Sequence, residues 1–425
     1  MTKKADEYED DSDEEYEDLT GNDQERSRKK NAPPHHDGEE KKKKKQRTTT
    51  TERRRTKGVQ LVGARSFRAR LVLSTLSRKR VRMTRIRWRS SEPGLRPHEA
   101  SFLRLADKLT SGSRVEINET GTALSYAPGA ILGGALEHDC SRSGRGVGWF
   151  VEGLLPFAPF CRQRLELTLL GPTCGGPGWR AVDALKHGPV AWLRDALGLD
   201  VELDVVRRQA LSSSATTTVP SPPGKVVLRC APARALAPVD MREVGLVKNV
   251  RGVAYCTRVA PALANRIVEA ARARLNPYLA DVRITTDAAA KRDSAPGPGF
   301  GLALVATTTA DRKIAADLDV ASLSPDTTPE DLADRCAVAL LDDLARNGAV
   351  DSLSQSLLLT FMVLTDEAVS VATLPDPLTP AAVDRLRLLK TFFGLEFTLT
   401  RDPLQRNVRC ACLGLGFTNV SRTVT

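Results

Sequence analysis

Apolar runs of strand length that alternate with helical ones along most of the chain predict an α/β or α+β fold with repeated β and α units. Two further observations point the same way. Apolar residues make up 41% of the 425 positions and glycine adds 30 more, an ordinary content for a chain with a real core. The length allows roughly two to three domains, or one large domain with an insertion. No run approaches the ~20 apolar residues that span a bilayer, and the acidic, polar start lacks the cationic and apolar order of a signal peptide. A membrane or Sec-exported protein is therefore not expected.

Taken in order, residues 1–58 are expected to be a disordered, charged tail. The first 57 positions carry 16 basic and 16 acidic residues, an acidic run (Asp6 to Asp18), a Lys41 to Lys45 run and Arg53 to Arg55, with almost nothing apolar to offset ordering entropy. The tail cancels its own charge, so the formal +11 sits on the remainder and suggests a polyanionic partner. The lysine and arginine runs fit a nuclear localisation signal or a nucleic-acid arm.

The segment Arg65 to Ser91 follows with ten basic residues and no acid: Arg65, Arg68, Arg70, Arg78, Lys79, Arg80, Arg82, Arg85, Arg87 and Arg89. From Arg80 to Trp88 it reads as a strand, with Val81, Met83, Ile86 and Trp88 on apolar positions and arginines on the open face. Such a face repels itself, and it can hold phosphates by charge and stack bases on Arg or Trp planes.

Helices are expected at Glu99 to Leu109, Ala181 to Leu197, Pro261 to Leu275, Pro329 to Arg346, Ser352 to Leu364 and Pro380 to Phe393. Several have Ser, Thr, Asp or Pro starts and glycine stops at Gly112, Gly348 and Gly394. Strands are expected at Arg114 to Ile117, Leu165 to Leu170, Val226 to Cys230, Val282 to Thr286, Gly301 to Thr307, Ile314 to Val320, Glu396 to Thr400 and Val408 to Leu413. Ser212 to Pro223 and Ala288 to Gly301 read as loops.

Motifs for covalent chemistry are scarce. Three glycine-rich segments (Gly144 to Gly148, Gly171 to Gly178 and Gly297 to Gly301) lack the lysine and Ser/Thr of a Walker loop and read as turns. Eight cysteines form no CxxC pair and read as reduced, buried thiols, so no metal is expected. No histidine follows His187, and His98, His138 and His187 show no fixed nucleophile partner. Asp342 and Asp343, with Arg335 and Arg346 nearby, read as an ordinary charged helix face.

Several strings, in order over nearly everything from residue 59 onward, resemble the RNA 3′-terminal phosphate cyclase superfamily, in particular its eukaryotic nucleolar cyclase-like branch. They are Ser66-Phe67-Arg68 through Leu76, Pro93-Gly94-Leu95 with Glu99 to Leu105, Glu116 to Thr122, Pro128-Gly129 and Gly133-Gly134. Further along come Val250 to Tyr255, Arg258-Val259, Asn265-Arg266, Ser294 to Gly301, Gln355-Ser356-Leu357, and Gly416 to Arg422. The resemblance implies a large domain of three repeated two-helix, four-stranded-sheet units (59–231 and 311–425) with a small inserted α/β domain (232–310).

It also implies a cyclase site without its nucleophile. Aligning the family motif with Asp351 to Leu357 puts Ser352 at the position of the adenylated histidine. Val62-Gly63-Ala64-Arg65 replaces the glycine-rich segment and its glutamate, Ser90 replaces one arginine, and Arg68 is kept. Arg65, Arg68, Arg82, Arg85, Arg87 and Arg89 are then the expected anion and RNA contacts, with no catalytic residue and no cofactor. The branch acts in the nucleus and nucleolus on pre-rRNA within the small-subunit processome, beside a GTPase ribosome-assembly factor, in early cleavages needed for 18S rRNA. The late helix where an Arg, Asp, Lys set would matter reads Arg387, Leu388, Leu389, Lys390, without the acid, so Arg387 and Lys390 are expected to bind a partner. The enzyme alternatives are an endonuclease cutting pre-rRNA and an active terminal phosphate cyclase.

Overall fold

The computed structural model describes residues 58–211, 222–289, 297–324 and 326–422. The expected tail therefore lies outside the described residues except for Gly58, as do the basic runs before it, most of the Ser212 to Pro223 loop and residues 290–296.

The fold is mixed α and β, with four four-stranded sheets and one two-stranded ribbon among the described residues. The first stretch runs β1 (Val59–Val62), α1 (Phe67–Ser77), β2 (Val81–Thr84), α2 (Pro97–Leu109), β3 (Thr110–Ser111), β4 (Arg114–Ile117), β5 (Leu124–Ala127) and β6 (Ala130–Ile131). Helix α1 crosses over between the parallel β1 and β2, and β5 and β4 join antiparallel in the order β1-β2-β5-β4. The short β3 and β6 pair as the ribbon. The second stretch runs β7 (Gly134–Asp139), α3 (Val147–Leu154), β8 (Leu165–Leu170), α4 (Val182–His187), α5 (Pro189–Leu197), β9 (Val201–Arg207) and β10 (Lys225–Cys230). Its sheet, β7-β8-β10-β9, has the same succession of one parallel and two antiparallel pairings.

After β11 (Asp240–Met241) the chain makes an excursion through β12 (Val247–Thr257), α6 (Ala262–Leu275), β13 (Val282–Ala289), β14 (Gly299–Thr308), β15 (Lys313–Asp319) and α7 (Pro329–Ala345). It returns as α8 (Gln355–Val363), β16 (Val369–Pro375), α9 (Pro380–Phe393), β17 (Thr398–Asp402) and β18 (Asn407–Leu413). The sheet β11-β16-β18-β17 repeats both the pairing directions and the strand order of the first two, first-second-fourth-third along the chain, whereas the excursion's sheet, β13-β12-β14-β15, shares the pairing directions but places its second strand at the edge.

Two large hydrophobic cores follow from this layout, with a small third cluster of Cys174, Ala181 and Tyr255. One gathers buried residues of the three like-patterned sheets, among them Leu71, Met83, Phe102, Phe150, Leu167, Trp192, Leu228, Phe361 and Phe392. The other runs from Val250 to Leu340 and lies under α6 and α7. Each buried large side chain contributes on the order of 1.5–3 kcal/mol. The segment 232–310, expected as the insert, shares β12, α6, β13 and β14 with this second core. Its first residues, Leu236, Val239 and Met241, are buried in the first core, and β15 and α7, which lie beyond 310, belong to the second sheet and core.

Some elements differ from the sequence expectation. The helix expected from Ala181 to Leu197 is two helices, because Pro189 has no N–H to continue the ladder and instead opens α5 after Gly188. Helices α1 and α3 had no sequence counterpart. Helix α1 begins at a left-handed Ser66 (φ 53) with no side-chain cap, so it lacks the usual start signal. Helix α3 begins after Gly146, inside a segment that read as a glycine turn. The strand expected from Arg80 to Trp88 ends at Thr84, and Arg85 (φ 57) and Arg87 (φ 43) turn the chain away in left-handed conformations. All eight cysteines are free and buried, and burial pushes the thiols of Cys161, Cys410 and Cys412 up to about 12. Among the described residues no helix is long and apolar enough to cross a membrane.

Candidate anion and RNA site

Helix α1 projects Arg68 onto α3. Its guanidinium lies 4.3 Å from the centroid of Trp149, donates to the Trp149 carbonyl, and pairs with Glu152 at 3.2 Å. His98, in the first turn of α2, meets the same indole edge-on at 4.9 Å. Arg145, in the loop before α3, lies 4.9 Å from the Trp179 centroid and donates to the Pro177 carbonyl. Arg180 lies in the loop between β8 and α4, with its side chain only 3% exposed. It pairs with Asp351, donates to Ser354 Oγ at 3.0 Å, and reaches the Ala315 carbonyl at 3.3 Å. Arg385 of α9 donates to Thr360 Oγ1 of α8. The close approach of α3 to this loop requires glycine, since a Cβ at Gly148 would stand 2.0 Å from the Arg180 carbonyl oxygen.

The electrostatics of this cluster are cationic. Desolvation lowers the pKa of Arg68, only partly offset by Glu152. Desolvation and the charge of Arg68 hold Arg385 down at about 10. His98 falls to about 3, first through burial and then through Arg145, Arg87, Arg68 and Arg96. His98 is thus neutral at physiological pH and is neither a proton donor nor a cation there. The arrangement can bind an anion by charge-assisted hydrogen bonds. Beside Arg180, burial raises Asp317 to about 6 even though it accepts from the Ala181 N–H at 2.7 Å. Burial likewise raises Asp319 to about 7.

The ten basic residues from Arg65 to Arg89 have separate fates, and several of the acids missing locally come from distant strands and helices. Arg65 pairs with the buried Asp384 of α9, which Arg387 also approaches at 3.6 Å. Arg80 pairs with Glu116 across the sheet at 3.1 Å. Arg70 turns inward and donates to the carbonyls of Val62 at 2.9 Å and Gly63 at 2.6 Å, which fixes the β1–α1 loop. Arg87 departs from its expected role as an RNA contact. It forks onto Glu99 at 3.0 and 2.6 Å and donates to the Gly94 carbonyl, so it braces the loop from within. Arg82, Arg85 and Arg89 are exposed, as expected.

Ser352 lies in the turn before α8, and its hydroxyl donates to Asp343 of α7 at 2.5 Å and accepts from Arg346 at 2.9 Å. Asp343 and Arg346, which read as a solvated helix face, therefore hold this turn. Ser90 sits in a turn whose backbone bonds to Arg87, and its hydroxyl accepts from the Glu92 N–H. Arg387 and Lys390 are exposed on α9, Lys390 pairing with Glu396 at 2.7 Å. Sequence reasoning missed Arg145, Arg180 and Arg385, and gave His98 no role. The signal for Arg145 and Arg180 was their position beside two glycine-rich segments. Among the described residues no group of three His, Cys, Asp or Glu side chains could hold a metal.

The mixed α and β fold and the arginines gathered between α1, α3 and α9 are compatible with the cyclase family that the sequence resembles, and the comparisons show that family. The chain belongs to the RNA 3′-terminal phosphate cyclase family, whose model matches residues 59–399. Within it, the chain is 41% identical over 373 residues to the human RNA 3′-terminal phosphate cyclase-like protein, covering 85% of this chain and 97% of that protein. It is 36% identical over 380 residues to the probable cyclase-like protein of Drosophila melanogaster (85% and 96% covered). It is 36% identical over 359 residues to the rRNA processing protein rcl1 of Schizosaccharomyces pombe (84% and 95% covered).

Proposed function

We propose that this protein is a non-catalytic, cyclase-like factor in pre-rRNA processing. It acts in the small-subunit processome, supports the early cleavages that release 18S rRNA, and works beside a GTPase assembly factor in the nucleolus. The observation that carries this reading is the combination of a cationic cluster (Arg68, Arg145 and Arg385) with a serine at the position expected for the adenylated histidine. That serine's hydroxyl is already committed to Asp343. The name of the S. pombe relative supports the rRNA part of the reading. In this reading the three like-patterned sheets are three copies of one unit, interrupted by the β12 to α7 excursion.

The test incubates purified protein with a pre-rRNA fragment, with and without divalent metal, and separately with ATP labelled on the α-phosphate. RNA binding without cleavage and without covalent label is expected. Cleavage, or stable label, overturns the non-catalytic reading. Loss of GTPase-factor capture on reversing Arg387 and Lys390 is expected if α9 is the interface. Nuclear accumulation lost on deleting residues 1–57 is expected if the Lys41 to Lys45 and Arg53 to Arg55 runs are the signal.

One observation favours a second reading, an endonuclease. Asp384, one turn before Arg387, supplies an acid beside Arg387 that the string Arg387 to Lys390 lacks. Its carboxylate is buried and engaged by both Arg65 and Arg387, which leaves it poorly placed as a base. The cleavage assay separates the two readings.

A further inference from the structure

The turn after β2 places side chains in a way the arginine cluster does not explain. Ile86 is fully buried and its N–H donates to the Thr122 carbonyl. Arg87 is forked onto Glu99, and the Ile86 carbonyl accepts from the Gly94 N–H. Between and beside these anchors, Arg85, Trp88 and Arg89 point outward. Trp88 is 49% exposed, whereas Trp149, Trp179 and Trp192 are 8% exposed or less. The Arg89 guanidinium lies 4.4 Å from the Trp88 centroid and that of Arg85 5.8 Å. No carboxylate among the described residues pairs with Arg82, Arg85 or Arg89.

An indole left half in water on a braced turn costs solvation and contributes little to the core, and its neighbours are both cations. That combination fits a ligand that brings a π-face and a negative charge together. An acidic peptide offers the charge alone, a duplex hides its π-faces in the stack, and an unpaired nucleotide offers both. We propose that Trp88 is a stacking platform for an unpaired RNA base, with Arg85 and Arg89 holding the flanking phosphates. The bracing by Ile86 and Arg87 pre-orders the platform, so little side-chain entropy is lost on binding. This inference rests on the RNA reading above and names the feature of the RNA that is contacted.

The test titrates the full chain with a single-stranded oligoribonucleotide of mixed sequence, the matching duplex, an abasic strand of equal charge and an acidic peptide, following tryptophan fluorescence. The single strand is expected to quench the exposed tryptophan. Trp88→Ala should lower its affinity about ten-fold, and Trp88→Phe should retain most of it. The salt slope should stay unchanged, because phosphate contacts are intact. The abasic strand should bind native and Trp88→Ala protein alike. If Trp88→Ala leaves single-strand affinity unchanged while Arg85→Glu with Arg89→Glu weakens it, stacking is overturned and the RNA reading stands. If none of these variants changes RNA affinity, both fall. Equal binding of the acidic peptide or the duplex also overturns the platform. Because Trp88 is exposed, circular dichroism of the variants should match the native protein.

Discussion

Arg180 and Asp351 form a buried ion pair, with side chains 3% and 1% exposed, that ties the loop after β8 to the turn before α8. Removing one partner leaves the other charge uncompensated in a dry site. Arg180→Ala should therefore destabilise the protein by about 3–5 kcal/mol, read as a fall in the urea midpoint at unchanged m. An effect below about 1 kcal/mol would show that water reaches the pair.

The buried Asp319 sets a pH dependence. It accepts from the Ala321 N–H at 2.9 Å and the Tyr255 hydroxyl at 3.1 Å, yet burial raises its pKa to about 7 from an unfolded value near 3.8. A raised carboxyl contributes stability that is fully present below the unfolded pKa and lost as pH rises through the folded one. Asp319→Asn removes that titration, so the variant should gain on the native protein between pH 4 and pH 8, by up to about 4 kcal/mol. Chemical denaturation at the two pH values measures it, and a constant difference would refute the assignment.

Local pattern was enough for elements whose signals are local. Thr328 with Pro329 opens α7, and Thr379 with Pro380 opens α9, each cap hydroxyl accepting the N–H expected of it. Alternate burial of Leu165, Leu167 and Leu169 in β8 follows the two-residue period. The resemblance carried the family. What local reading could not supply was long-range charge pairing. Arg65 to Arg89 read as a self-repelling face, because Asp384, Glu152, Glu116 and Glu99 reach it from α9, α3, β4 and α2. Arg180 stayed hidden for the same reason, its partner lying 171 residues away.

The Ser352 turn yields a gain-of-function test with a negative expected result. Ser352→His replaces a hydroxyl that donates to Asp343 and accepts from Arg346. Arg65 is drawn off to Asp384, and Ser90 offers no guanidinium. Catalytic groups that act as a unit fail together. The variant should therefore retain no stable label from α-phosphate ATP after denaturing gel separation. Label on the variant alone would show a site more intact than this geometry implies.

The last prediction reads the arginine cluster through His98. Burial and the four guanidiniums of Arg145, Arg87, Arg68 and Arg96 hold its pKa at about 3. A phosphate bound among those guanidiniums brings a negative charge that offsets their repulsion, so His98 should titrate at higher pH when inorganic phosphate is present. Neutral polyols at equal osmolarity should leave it in place. NMR of the imidazole C–H signals follows this directly, and His98→Gln identifies the resonance among the five histidines. The sign also reaches stability. A depressed histidine contributes stability present above its unfolded pKa near 6.5 and lost as pH falls toward 3. Phosphate narrows that window by raising the folded pKa, so its stabilising effect through this group should grow as the pH falls below 6. A His98 titration that phosphate does not move, at concentrations where Arg68→Ala abolishes measurable phosphate binding, would place the anion away from Trp149 and α2.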